Sequence, residues 1–151
     1  MKVYGLVGKS GTGKSYQAMN LCREMNIDSI IDDGLFIYGN SILEGTSAKR
    51  QSTKVAAIKT ALFTGEGHRQ AVMDKIKEVS PESILILGTS EKMIQRIAER
   101  LELPNPERVI DIELITTEEE RETARKQRHE LGKHIIPVPT FQLKREFSGD
   151  R

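Results

Sequence analysis

Gly8-Lys9-Ser10-Gly11-Thr12-Gly13-Lys14-Ser15 decides the fold, because of what stands on either side of it. The apolar stretch Val3-Tyr4-Gly5-Leu6-Val7 precedes it, and Ala18, Leu21, Cys22 and Met25 follow at helical spacing. A strand, a glycine-rich loop and a helix in that order bring backbone N–H groups and the positive end of a helix to one point. The spacing is G-x-x-x-x-G-K-[ST], in which the lysine reaches the β/γ oxygens of a polyphosphate and the hydroxyl ligates Mg²⁺. A plain glycine-rich turn needs neither Lys14 nor the full spacing.

This loop resembles the Walker A element of the P-loop NTPase superfamily. The resemblance covers these eight residues and their flanks. It implies that Gly8, Lys9, Ser10, Gly11, Thr12, Gly13, Lys14 and Ser15 bind a nucleoside triphosphate, with Ser15 on the magnesium. Lys9 also resembles the first lysine of the deviant Walker motif K-G-G-x-x-K-[ST] of the ParA/MinD group, which works across an ATP-sandwiched dimer. Ser10 departs from that pattern, and ordinary phosphate loops tolerate a lysine here.

The chain of 151 residues is expected to form one domain with one substantial core. Its 37% apolar and 30% charged residues suit a soluble globular protein. A net charge of +1 gives no global drive toward nucleic acid or acidic membranes. The single Cys22 forms no internal disulfide and reads as a buried, inert thiol. No apolar run approaches the ~20 residues of a membrane span, and the first strand leaves no room for a signal peptide. Cytoplasmic residence is the expectation.

Short Ile/Val/Leu-rich runs recur at 3–7, 27–31, 84–87 and 109–115, with another at 134–138. Most are continuous rather than alternating, as in strands buried on both faces of a parallel sheet. Helical stripes lie between them, over 53–62, 68–79 and 91–101. The expected architecture is α/β: a three-layer, open, mainly parallel sheet of about five strands with helices on both faces. Residues 34–43 flank Gly39-Asn40 with apolar runs, a hairpin signal. As an insertion after the second strand, the hairpin is expected to project from the carboxyl edge of the sheet, where ligands bind. The expected domain covers 1–140, with a C-terminal tail at 141–151.

Magnesium needs a second acid at the end of a neighbouring strand. Ser29-Ile30-Ile31-Asp32-Asp33-Gly34 offers Asp32 and Asp33, and alternation does not choose between them. Either aspartate could instead open a turn. The strand at 84–87 runs into Gly88-Thr89-Ser90 with no carboxylate before Glu91. That departs from motor-type ATPases and looks like small P-loop kinases such as shikimate kinase. Thr89 and Ser90 could meet a γ-phosphate or cap the next helix.

Thr117 and Glu120 read as a capping box, after which Arg121, Arg125 and Arg128 form one guanidinium stripe. With few apolar residues to bury, the segment 117–132 resembles the lid of small P-loop kinases, whose arginines stabilise the transferring phosphoryl group. A solvated helix laced by ion pairs is the other reading. His129 and His134 have no metal-ligand spacing. Lys49, Arg50, Lys54 and Lys59 form a basic run that could hold an acidic substrate or simply face solvent. With little aromatic content nearby, nucleic acid is not an expected partner.

Neither N-K-x-D, the guanine-reading sequence of P-loop GTPases, nor the L-S-G-G-Q of ABC ATPases occurs. The expected ligands are ATP and Mg²⁺. The expected chemistry is phosphoryl transfer to an unidentified acceptor, or slow hydrolysis. A nucleotide-gated switch working as an ATP-dependent homodimer and a non-enzymatic ATP-binding regulatory domain remain as alternatives.

Overall fold

A computed structural model describes residues 1–9 and 13–114. The first compact unit is Met1–Ile110; of the second, which starts at Asp111, only 111–114 are described. The elements run β1 (Lys2–Val7), α1 (Lys14–Met25), β2 (Ser29–Asp32), β3 (Leu35–Tyr38), β4 (Ser41–Gly45) and a short 3-10 turn (Ala48–Arg50). They continue with α2 (Lys54–Ala61), α3 (Glu66–Val79), β5 (Ser83–Gly88), α4 (Glu91–Arg100) and β6 (Arg108–Asp111).

The six strands form one mixed sheet in the order β4-β3-β2-β5-β1-β6. At its centre β5 is parallel to both β1 and β2, with Val3 opposite Ile84 and Ile30 opposite Leu85. All six residues of β5 are buried, which explains why its sequence carries no polar alternation. Alternate side chains serve opposite faces. Val3, Ile84 and Ile86 pack with Val72, Met73 and Ile76 of α3 and Ile94, Ile97 and Ala98 of α4. Leu6, Leu85 and Leu87 have the opposite parity, and α1 contributes buried Ala18 and Leu21. Helices therefore cover both sides.

The expectation of a mainly parallel sheet with a projecting hairpin needs correction. β2 pairs antiparallel with β3, and β3 antiparallel with β4, so the apolar runs around Gly39-Asn40 extend the sheet as a meander. Phe36 shows why: it is fully buried, and a projecting hairpin would leave that ring in water. The β2–β3 connection is a two-residue loop, Asp33-Gly34, with Asp32 opposite Leu35. Both loop residues have positive φ, +56° and +87°, the geometry that matches the twist of a tight hairpin. The apolar stripe expected over 53–62 reaches the core only at its end, where Leu62 is partly buried against it. No residue of α2 is buried, and Val55 and Ile58 are 62% and 52% exposed. The run at 109–115 stops early as a strand, since β6 ends at Asp111, whose carboxylate accepts from the Glu113 N–H at 2.9 Å.

Candidate functional site

The site grows from the carboxyl ends of β1, β2 and β5. At the end of β1, the Gly8 N–H donates to the Gly88 carbonyl at 2.9 Å, tying the start of the loop to β5. The loop re-enters helix at Gly13, whose φ of +80° lies in the left-handed region. A side chain there would be strained, although the space around the missing Cβ is open. The N-cap Gly13 has no side chain with which to cap α1.

Two side chains of the first turn of α1 reach the ends of neighbouring strands. Lys14 Nζ donates to the Gly8 carbonyl at 2.8 Å, joining the start of α1 to the end of β1. Ser15 Oγ donates to Asp32 Oδ2 at 3.3 Å, joining α1 to the end of β2. Burial pushes the Lys14 ammonium below its ordinary pKa, and Lys49 adds to this; Asp32 and Asp33 oppose it. The Asp32 carboxyl is raised, first by burial and then by Asp33, while Lys49, Lys14 and the Ser15 hydrogen bond pull it down. Both groups would hold their charges more easily beside a complementary ligand.

The aspartates that alternation left undecided have different surroundings. Asp32 faces Ser15 and Lys14. Asp33 is tied into the turn: its Oδ2 accepts from Ser47 Oγ at 2.9 Å and from the Lys49 N–H at 3.1 Å. Its carbonyl accepts from the Ala48 N–H at 2.9 Å. Ser90 caps α4, accepting from the Met93 N–H at 3.1 Å, and Thr89 leans on the Met93 sulfur. Cys22 is half-buried, and burial pushes its thiol up to about 11.

A cleft of about 590 Å³ opens beside this cluster, between α2 and the start of α4, with Lys14, Asp32 and Asp33 in its lining. Lys49 and Lys54 line it from one side, Lys92 and Arg96 from the other. The sequence reading singled out the first two but missed the α4 pair. They sit on the polar face of a strongly amphipathic helix, a place that ordinarily means solvent. His68 was also missed. Its Nε2 lies 2.7 Å from the Gly34 carbonyl, which also accepts the Thr46 N–H at 3.2 Å, so α3 braces the turn that follows Asp32.

Lys9 is exposed at the end of β1. Ser10, Gly11, Thr12, the arginines Arg121, Arg125 and Arg128, the candidate lid at 117–132, the run at 134–138 and the tail at 141–151 lie outside the described residues. Among the described residues, no group of three or more His, Cys, Asp or Glu side chains is placed to hold a metal, and no helix is long and apolar enough to cross a membrane. Comparison of the chain with protein-family models, with curated proteins and with solved structures finds no match.

Proposed function

We propose that this chain is a P-loop protein that binds ATP with Mg²⁺ at Gly8–Ser15 and transfers the terminal phosphoryl group to an acceptor. The observation that carries the reading is the convergence of Lys14 Nζ, the uncapped start of α1 and the Ser15–Asp32 pair at the carboxyl edge of the sheet. It supports the reading because each component matches one need of a magnesium-bound triphosphate. Backbone N–H groups at the start of α1 would donate to phosphate oxygens, and the ammonium would supply a point charge beside them. Ser15 and Asp32 are hard oxygen donors suited to Mg²⁺, or to waters in its shell. Among the described residues these two would hold the cation, which would supply positive charge beside the phosphate oxygens.

Position in the sheet supports the same reading. From β1 the chain moves to β2 on one side, separated by β5, and later to β6 on the other. Ligands of open α/β sheets bind at such a switch of direction, outside the carboxyl ends. The finer assignment, the P-loop NTPase fold, rests on this placement together with the loop sequence.

Bound magnesium would neutralise charge shared by the β and γ oxygens. Lys14 would swing from the Gly8 carbonyl to a phosphate oxygen. Asp32, held by Ser15, would fix the direction of the metal's water shell. The end of β5 offers Gly88, Thr89 and Ser90, and no carboxylate that could orient an attacking water. That favours transfer over rapid hydrolysis. ATP rather than GTP follows from the missing N-K-x-D sequence, and cytoplasmic residence from the need for ATP and a reduced lone thiol.

Titration calorimetry with Mg-ATP and Mg-GTP, on the wild type and on Lys14→Ala, tests the reading. Heat with Mg-ATP that weakens at least about tenfold in the variant supports it, since a charge-assisted phosphate contact is worth roughly 1.5–3 kcal/mol. Absence of heat with either nucleotide rejects it.

A further inference from the structure

We infer that the cleft beside Lys14 is an acceptor site for a small organic anion with an apolar body, an inference that rests on the nucleotide reading. Two independent features of the cleft lead there. The first is charge. Lys49, Lys54, Lys92 and Arg96 converge on it from elements far apart in sequence. Among the described residues, none of the four forms an ion pair, although Arg69, Lys75 and Arg100 elsewhere all do. Lys92 and Arg96 stand four residues apart on one helix, an arrangement that repels when nothing lies between the charges. The two carboxylates in the lining are already engaged, Asp32 with Ser15 and Asp33 with Ser47 and the Lys49 N–H. Lys49 acts on Asp32 within this lining, but Lys54, Lys92 and Arg96 form no ion pair among the described residues, and cations in excess around a concave surface suit an anionic guest.

The second feature is the wall. α2 buries none of its residues, yet Ile58 and, just beyond its end, Leu62 line the cleft opposite Leu87 and Met93. Apolar groups on both sides with cations at the rim describe a pocket that grips an apolar body and fixes its charged end, the usual division of labour in small-molecule sites. The volume suits a metabolite rather than a polymer. The basic run of the sequence does not form a continuous strip either, since Lys59 lines a separate cavity of about 370 Å³ on the other side of α2. A nucleic-acid backbone, which needs cations along a track, fits this arrangement poorly.

The site is tested by two-dimensional NMR of the full chain saturated with Mg²⁺ and β,γ-imido-ATP, titrated with phenyl phosphate, benzoate or phenol. The imido analogue blocks the phosphate loop, so a second anion must bind elsewhere. Shifts at Lys54, Ile58, Lys92 and Arg96 are expected with the anions and not with phenol, and the two anionic arms show whether phosphate or carboxylate is preferred. The double variant Lys54→Met/Arg96→Met, in exposed positions, is expected to weaken phenyl phosphate binding at least about tenfold while imido-ATP affinity stays within about twofold. Phenol binding as well as the anions, unchanged phenyl phosphate affinity in the variant, or no response at these four residues overturns the acceptor site while the nucleotide reading stands. A wild type that fails to bind imido-ATP overturns both.

Discussion

Asp32→Asn is expected to make the ligand-free protein more stable and its nucleotide binding weaker. The amide keeps the shape of the carboxylate and can still accept the Ser15 hydroxyl. What it removes is a negative charge that burial and neighbouring Asp33 disfavour. A folded-state pKa raised above the ordinary 3.8 means that the native state holds the proton more tightly than the unfolded chain does. Wild-type stability from this group is therefore complete below the unfolded value and is lost as pH rises through the raised one. The variant should thus melt higher than wild type near neutral pH, and the gap should close as the pH is lowered toward 3.8. With ligand the order reverses. At a hundredfold excess over Kd, Mg-ATP stabilises a one-site protein by about 2.7 kcal/mol, a rise in Tm of roughly 5–10 °C for a chain of this size. Loss of a group that orients the metal costs about 10–100-fold in affinity, and at the upper end the same nucleotide concentration contributes only about 0.4 kcal/mol. Thermal melts of both proteins at two pH values, with and without Mg-ATP, give each of these differences. A variant that melts lower without ligand near neutral pH, or gains as much from Mg-ATP as wild type, refutes this account of Asp32.

Three further outcomes follow from local geometry. Ser90→Ala removes the cap of α4 and is expected to cost about 1 kcal/mol in chemical denaturation, with calorimetric Mg-ATP affinity unchanged; a loss of affinity would instead place the hydroxyl on the phosphate. Gly34→Ala would put a Cβ 2.2 Å from the Thr46 carbonyl oxygen at a φ of +87°, and is expected to cost about 3 kcal/mol or more. Gly39→Ala, at +60° with open space around it, should cost only about 1 kcal/mol, and equal urea midpoints for the two variants would contradict the packing described. With its thiol pushed up to about 11, Cys22 should react with iodoacetamide near pH 8 roughly a hundredfold more slowly in the native protein than in urea, as mass spectrometry would show.

The central parallel strands were legible because burial on both faces writes itself into composition: Ile84-Leu85-Ile86-Leu87 admits no polar residue. The hairpin at Gly39-Asn40 was legible too, since Tyr38 and Ser41 pair across that two-residue loop. Its direction was not. The turn that folds β3 back onto β2 is Asp33-Gly34, whose aspartate reads equally well as a metal ligand. One dipeptide carried two meanings, and only the pairing of Ile31 with Phe36 separates them. Likewise, the spacing of Val55, Ile58 and Leu62 forms a helix but does not say whether anything covers it.

The same distinction holds at the site. The loop reading rests on contiguous residues, of which the structure describes Gly8, Lys9, Gly13, Lys14 and Ser15. The cleft could not be read from sequence, because its parts are not contiguous. Lys54 and Arg96 stand forty-two positions apart, and each alone has the ordinary explanation of a solvated helix face. Only the sheet order, which sets β2 beside β5, brings α2 and α4 to opposite walls of one cavity. Like charges gathered by long-range topology leave no local trace, and here Lys49, Lys54, Lys92 and Arg96 line one cavity. In the acceptor site proposed above, an anion between these cations would offset their mutual repulsion beside Lys14, whose ammonium donates to the Gly8 carbonyl.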